Sequence, residues 1–189
     1  GVDAGLGLGC EAGRVDRHRS SSAQARNVPS GARCQRHPIM SLDEKAWQAA
    51  RERIARAAKA AGRNPSAVRL LAVSKTRPAG AVREAWGLGQ RAFGENYVQE
   101  AAGKRAELAD LAGIEWRLIG PLQSNKTALA AEVFDAVESV DRLKIAERLS
   151  AARPADRLPL EVLVQVNISG EASKSGVAPA EAVALARAV

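Results

Sequence analysis

The sequence predicts an α/β fold built on a parallel sheet. Two observations carry this. Short β-prone apolar runs alternate with amphipathic helical stretches five times after one opening helix. The run that ends at Lys75 is near-continuous rather than alternating, which suits a strand buried on both faces. Five such units fit an open doubly wound sheet. They equally fit the first part of an eight-unit barrel, which takes ~250 residues, against 189 here.

Residues 1–39 stand apart from this pattern. They are rich in Gly, Arg and Ser and lack hydrophobic periodicity. Gly5-Leu6-Gly7-Leu8-Gly9 follows no strand and opens no helix, so it is not a dinucleotide loop. The Arg- and Ser-rich, acid-poor composition is faintly that of a transit peptide, and the apolar core of a secretory signal is missing. Met40 is the only methionine, and a helix-capping signal begins directly after it. We therefore expect Met40 to be the natural start, 1–39 to be a disordered or spurious extension, and 40–189 to be the folded domain.

Each element is legible in turn. Ser41-Leu42-Asp43-Glu44 has the form of a capping box, with Ser41 as cap. Trp47, Ala50, Ile54, Ala57 and Ala61 follow at helical spacing, and Gly62 and Pro65 end the helix. Val68 to Thr76 forms the first strand, with Lys75 at its C-terminal mouth. Pro78 opens a short helix from Ala79 to Trp86, which Gly87 and Gly89 close. Arg91 to Glu95 is the second strand. Asn96 with Gln99 gives a second capping pattern for a helix to about Leu111. Ile114 to Ile119 is the third strand, broken by Gly120-Pro121, and a helix runs from there through Val133. Ala136 to Val140 is the fourth strand, and Asp141 caps a helix from Arg142 to Ala151. Leu160 to Ile168 is the fifth strand, a polar loop spans Ser169 to Gly176, and Pro179 opens a last helix. That helix runs to Val189 without a cap, which gives the ending the look of a truncation.

Composition excludes several functions. The chain holds 28 basic and 21 acidic residues, a net charge of +7. Residues 1–39 have six Arg against Asp3, Glu11 and Asp16, which is +3, and the remaining 22 basic and 18 acidic residues give +4. A basic balance raises the question of nucleic acid, but only 3% of residues are aromatic and no basic stripe recurs along a helix. No apolar run reaches the ~18 residues of a membrane span. Cys10 and Cys34 both lie before Met40, so the folded part carries no disulfide framework, as expected in a reducing compartment. His18 and His37 are the only histidines, which argues against a His-based metal site or triad.

Polar residues close every strand: Ser74 and Lys75, Glu95 and Asn96, Gln123, Ser124 and Asn125, Ser139 and Asp141, Asn167 and Ser169. Loops after parallel strands share one mouth, so these groups are expected to converge. Asn96, Ser124 and Asp141 could equally be helix caps; capping is preferred for Asp141 and stands level with ligand binding for Asn96. Lys75 is the best-placed nucleophile. At the end of a hydrophobic strand a lysine is expected to be partly desolvated, which lowers its pKa and frees an amine for Schiff-base chemistry. Position alone would still favour a solvated lysine. Lys104 lies in a polar helical stretch and is expected to be solvated, Lys126 lies near a helix start and Lys174 in a loop. Glu95 has no evident acidic partner, and no phosphate loop of the Gly-Lys-Ser/Thr kind occurs.

Four blocks carry a resemblance. Ala72-Val73-Ser74-Lys75-Thr76, Phe93-Gly94-Glu95-Asn96-Tyr97-Val98-Gln99-Glu100 and Ile119-Gly120-Pro121-Leu122-Gln123-Ser124-Asn125-Lys126 are three. Val166-Asn167-Ile168-Ser169 with Ser173-Lys174-Ser175-Gly176 is the fourth. In order and spacing they resemble the pyridoxal phosphate homeostasis protein family (YggS/PROSC type), from about residue 42 to the end. The resemblance implies a TIM (β/α)8 barrel of the alanine racemase N-terminal domain type, of which about five of eight units are present. It implies pyridoxal 5′-phosphate (PLP) held as an aldimine on Lys75, with Ser74, Asn96 and Asn167 as further cofactor-binding residues. It implies a cytoplasmic, monomeric protein without enzymatic turnover, concerned with vitamin B6 balance, that could pass PLP to PLP-dependent apo-enzymes, with no nucleic acid, membrane or metal involved. A PLP-dependent racemase or decarboxylase is the alternative. It is weakened because Tyr97 is the only tyrosine and stands at a helix start. The chain departs from the family at Arg117-Leu118, where His-Phe is commoner. It also lacks the later strands, whose Ser-x-Gly-Met-Ser and Arg-x-Gly segments contact the cofactor. Weak or absent PLP binding by these 189 residues, and an open sheet edge, are therefore expected.

Overall fold

The computed structural model describes residues 42–189. The expectations for residues 1–39, for the start at Met40 and for Ser41 as a cap lie outside the described residues, as do both cysteines and both histidines.

Helix α1 (Glu44–Ala60) starts on Asp43, whose Oδ1 accepts the Ala46 N–H at 3.0 Å. Among the described residues, Asp43 is the cap of this helix. Gly62 ends the helix in the left-handed region at φ 67°; its N–H reaches Lys59 O and that of Arg63 reaches Ala58 O, a Schellman closure. Strand β1 (Ala72–Val73) follows, then α2 (Ala79–Gly87), β2 (Ala92–Glu95) and α3 (Val98–Glu107). Next come β3 (Glu115–Leu118), α4 (Thr127–Val133), β4 (Ala136–Val140), α5 (Leu143–Ala152), β5 (Glu161–Val164) and α6 (Ala182–Ala188).

All five strands are parallel, and their order in the sheet is the order in the chain. A doubly wound sheet would reverse its strand order at a switch point. This one does not, so the helices collect on one face, as in a barrel wall. The register carries the consequence across the sheet. Ala72, Phe93 and Trp116 form one row, and Glu95 pairs with Leu118, which leads on to Val137 and Val162. These rows face the helices. They build the core with Val82, Val98, Ala101, Phe134, Ile145 and Leu149, and the Phe93 and Trp116 rings meet at 6.0 Å between centroids.

The intervening rows face the other way. Val73, Gly94 and Arg117 share one, and Ala136 and Glu161 extend it. Here the expected two-sided burial fails. Val73 is 53% exposed and Leu163 39% exposed, because no second layer of described residues covers this open face. Among the described residues strands β1 and β5 each pair with a single neighbour and so lie at the edges of the sheet.

Candidate functional site

The chemistry at the end of β1 is built from three elements. The Ser74 N–H still pairs with Gly94 O at 2.9 Å, so the ladder persists one residue past the strand. Alternation turns the Ser74 side chain toward the helices, where its hydroxyl donates to Glu95 Oε1 at 2.6 Å. Glu95, the last residue of β2, is fully buried. A buried carboxylate needs a cation, and α3 supplies one. Lys104 Nζ lies 2.7 Å from Glu95 Oε1, 2.7 Å from Glu100 Oε1 and 2.7 Å from Ser74 O. An ammonium has three donors, and all three are used.

Lys104 is therefore the reverse of the expectation: it is only 5% exposed. Its position in the helix explains this. Val98, Ala101, Lys104 and Leu108 fall on one stripe, and all four are buried. The stripe was available in the sequence, as was the Glu100–Lys104 spacing of four that lets the pair meet. Glu100 completes the group by accepting the Thr76 N–H at 2.5 Å. Burial pushes its carboxyl up, but the hydrogen bonds from Lys104 and Thr76 outweigh that and hold it below the usual carboxylate range. Glu95 Oε2 has no hydrogen-bond partner among the described residues.

Lys75 stands between two residues held by this cluster. Ser74 is fixed through its carbonyl and hydroxyl, and Thr76 through its N–H. Thr76 adopts φ 61°, the only non-glycine residue described in the left-handed region. For a β-branched residue that conformation is strained, and such strain concentrates at functional sites. Lys75 itself is exposed, and its ammonium makes no hydrogen bond or ion pair with a described residue. The expected partial desolvation is thus not found. The same alternation that buries Ser74 puts the next position on the open face, where nothing described covers it.

The remaining loops do gather at the mouth. A cavity of about 460 Å³ is lined by Asn96, Tyr97, Gln123, Lys126, Asp141 and Ser175 among others, from the loops after β2, β3, β4 and β5. Asn96 is half-buried there but is not a cap: α3 begins at Val98 behind Tyr97, without a side-chain cap. The main chain instead presses Asn96 against Gly120, where an added Cβ would lie 2.6 Å from Asn96 O. Asp141 likewise does not cap α5; it pairs with Arg142 at 2.6 Å. Asn167 is spent on its own loop. Its Nδ2 donates to Glu171 O and Lys174 O, while its Oδ1 accepts from Ser169 Oγ and Gly170 N. Asn96 thus sits at the cavity, Ser74 and Lys75 at the cluster, and Asn167 folds the loop that brings Ser175 in.

A second charged group went unread in the sequence. On the open face Arg117, 6% exposed, is clasped by Glu138 at 2.5 Å, by Glu161 at 3.0 and 3.1 Å, and by Glu115. Glu115 also meets Arg69 at 2.8 Å. The hydrogen bond from Arg117 holds Glu161 below its ordinary pKa, and Arg117 is held charged. Glu115 and Arg117 stand two apart in β3 and so share a face, and strand register through Ala136 brings Glu161 and Glu138 to the same face. Among the described residues no helix is long and apolar enough to cross a membrane.

Comparison with known proteins agrees with this architecture. The chain is 66% identical over 137 residues to a pyridoxal phosphate homeostasis protein of Pseudomonas aeruginosa, covering 72% of this chain and 59% of that one. It is 55% identical over 141 residues to the protein of the same name from Escherichia coli K12, covering 74% and 60%. The chain therefore spans about three fifths of the length of these relatives. PipY of Synechococcus elongatus PCC7942, solved with PLP bound, superposes with a TM-score of 0.57 at 44% identity, over 67% of this chain and 58% of PipY. The family model described as alanine racemase, N-terminal domain, matches residues 46–189. With its sequential parallel strands and one-sided helices, the chain belongs to the alanine racemase N-terminal domain family.

Proposed function

We propose that this chain is a PLP-binding protein of the homeostasis kind, which holds the cofactor covalently on Lys75 Nζ. The observation that carries the reading is the treatment of Lys75. Its amine is exposed at the strand end and bonds to no described residue, while both flanking residues are tied to a buried ion cluster. The relatives' name and the PLP-bound PipY support it. PLP supplies an aldehyde carbon that condenses with a neutral amine, with loss of water. The residues fit that requirement: Lys75 offers an exposed primary amine with no hydrogen bond or ion pair to a described residue, and the loops after β2 to β5 line a cavity with hydrogen-bonding groups. Asn96, which lines the mouth cavity, is proposed as a further residue to meet the cofactor. Ser74 contributes by holding the strand end, and Asn167 by shaping the loop of Lys174 and Ser175. On this reading the protein stores or passes on PLP in the cytoplasm as a monomer, without turnover of its own, and PLP-dependent apo-enzymes are the acceptors.

The test is borohydride reduction of the chain after incubation with PLP, followed by peptide mapping. The expected product is a pyridoxyl adduct on Lys75, in low yield as befits the weak binding expected of these 189 residues, that disappears in Lys75→Ala. An adduct of equal yield on Lys104, Lys126 or Lys174 would move the site. Racemisation of an amino acid at an enzymatic rate would replace storage with catalysis.

A further inference from the structure

Charged groups are costly to bury, and a helix–sheet contact is often at least as stable when apolar side chains fill it. Yet α3 places Lys104 against two carboxylates beneath the end of β1, at 6% exposure for its side chain, with Glu95 at 0% and Glu100 at 26%. What distinguishes this cluster from an ordinary ion pair is where its hydrogen bonds go. Glu95 Oε1 accepts from the Ser74 hydroxyl, Lys104 Nζ donates to the Ser74 carbonyl, and Glu100 Oε1 accepts from the Thr76 N–H. The three contacts bracket one residue, Lys75, and leave its amine alone. Thr76 Oγ1 adds a bond to the Lys75 carbonyl at 2.6 Å. The main chain at Thr76 is in a conformation that costs energy for threonine, so something must hold it there. The Glu100 carboxylate, bound to the Thr76 N–H, is the group in place to do so.

We propose that Glu95, Lys104 and Glu100 form a clamp that positions the Lys75 amine for attack on an aldehyde. They are positioning residues and do not touch the reacting atoms. The clamp fixes the backbone on both sides of Lys75, so that only the side-chain torsions of that residue remain free. Less freedom is then lost when the amine meets its carbonyl partner. This inference rests on the reading of Lys75 as the PLP-bearing lysine.

The experiment compares the unsubstituted chain with Glu100→Ala and Glu100→Gln. Two readouts are taken: amide hydrogen exchange across 72–79, and the initial rate of borohydride-trapped pyridoxyl adduct at Lys75 with PLP as probe. In Glu100→Ala the Thr76 amide is expected to exchange about tenfold faster, as befits one lost charge-assisted hydrogen bond. Adduct formation is expected to slow by about the same factor, while the amides of Leu118 and Val137 keep their protection. Glu100→Gln retains an oxygen acceptor and is expected to recover much of both losses. Unchanged Thr76 exchange in Glu100→Ala overturns the clamp. Faster exchange with an undiminished rate at Lys75 overturns its role in positioning. Faster exchange throughout β3 and β4 marks general loosening and also overturns it. If the unsubstituted chain forms no adduct at Lys75, the PLP reading itself falls and takes the inference with it. That failure is told apart from the others because it is seen without any substitution.

Discussion

At the scale of single residues, the fate of Glu100 decides how the Lys75 segment behaves with pH. Its folded pKa lies below the ordinary value because Lys104 and the Thr76 N–H favour the carboxylate over the acid. A carboxyl depressed on folding contributes stability above its unfolded pKa and loses it as pH falls through the folded one. The Thr76 N–H should therefore stay protected at neutral pH and lose protection from about pH 4 downward, near and below the unperturbed value. Exchange of the Thr76 amide measured against that of Leu118 from pH 7 to pH 3 checks this. Parallel loss at both positions would mean that the whole domain unfolds first and Glu100 has no local effect. The residue scale is also where sequence and structure part most. Lys75 was identifiable because it ends an apolar run inside a recognisable block. Its clamp was not, because a lysine in a helix is solvated unless its neighbours on the same stripe are apolar. Judging Lys104 by the charges beside it, rather than by Val98, Ala101 and Leu108 along the stripe, gave the wrong side of the helix.

At the scale of elements, the alternation of strands and helices was legible because its two periods differ so strongly. The cap positions were less so. Asn96 and Asp141 look like caps by residue type, but α3 and α5 each begin two residues later, behind Tyr97 and Arg142. The loops after β2, β3 and β5 are set instead by close backbone approach. A Cβ on Gly120 would lie 2.6 Å from Asn96 O and 2.7 Å from Asn96 Cα. A Cβ on Gly176, at φ 126°, would lie 2.6 Å from Asn167 N. Neither neighbour is a side chain that can swing away. Gly120→Ala and Gly176→Ala are each expected to cost about 2 kcal/mol or more, read from urea midpoints at constant slope. Gly80 serves as the control. It is the second residue of α2, and a Cβ added there meets nothing within 4 Å, so Gly80→Ala should raise stability by up to about 1 kcal/mol. Equal midpoints for all three would show that the mouth loops yield more readily than this packing implies.

At the scale of the molecule, the packed core and Lys75 lie on different faces of one sheet. The sequential strand order sends every crossover to the same side, so the apolar rows of β2, β3 and β4 meet α2 to α5 there and form the core cluster. The other face holds the Arg117 clasp and half-exposed apolar side chains such as Leu163. Period-two reading of the strands allowed this division, but the near-continuous apolar run that ends at Lys75 suggested burial on both sides. The two faces should therefore answer differently to the same truncation. Leu118 is fully buried against the helices, so Leu118→Ala removes packed methyls and leaves a cavity, at about 2–5 kcal/mol. Leu163 is 39% exposed on the open face, and Leu163→Ala is expected to cost less than about 1 kcal/mol. Urea unfolding of the two variants beside the parent chain measures the difference. A Leu163→Ala loss as large as that of Leu118→Ala would mean that the open face is covered in solution, and a second copy of this chain is the first thing to look for by sedimentation. With a small loss at Leu163, the domain is held up by its helix face alone. The face that carries Lys75 is then free to meet a ligand without giving up core packing.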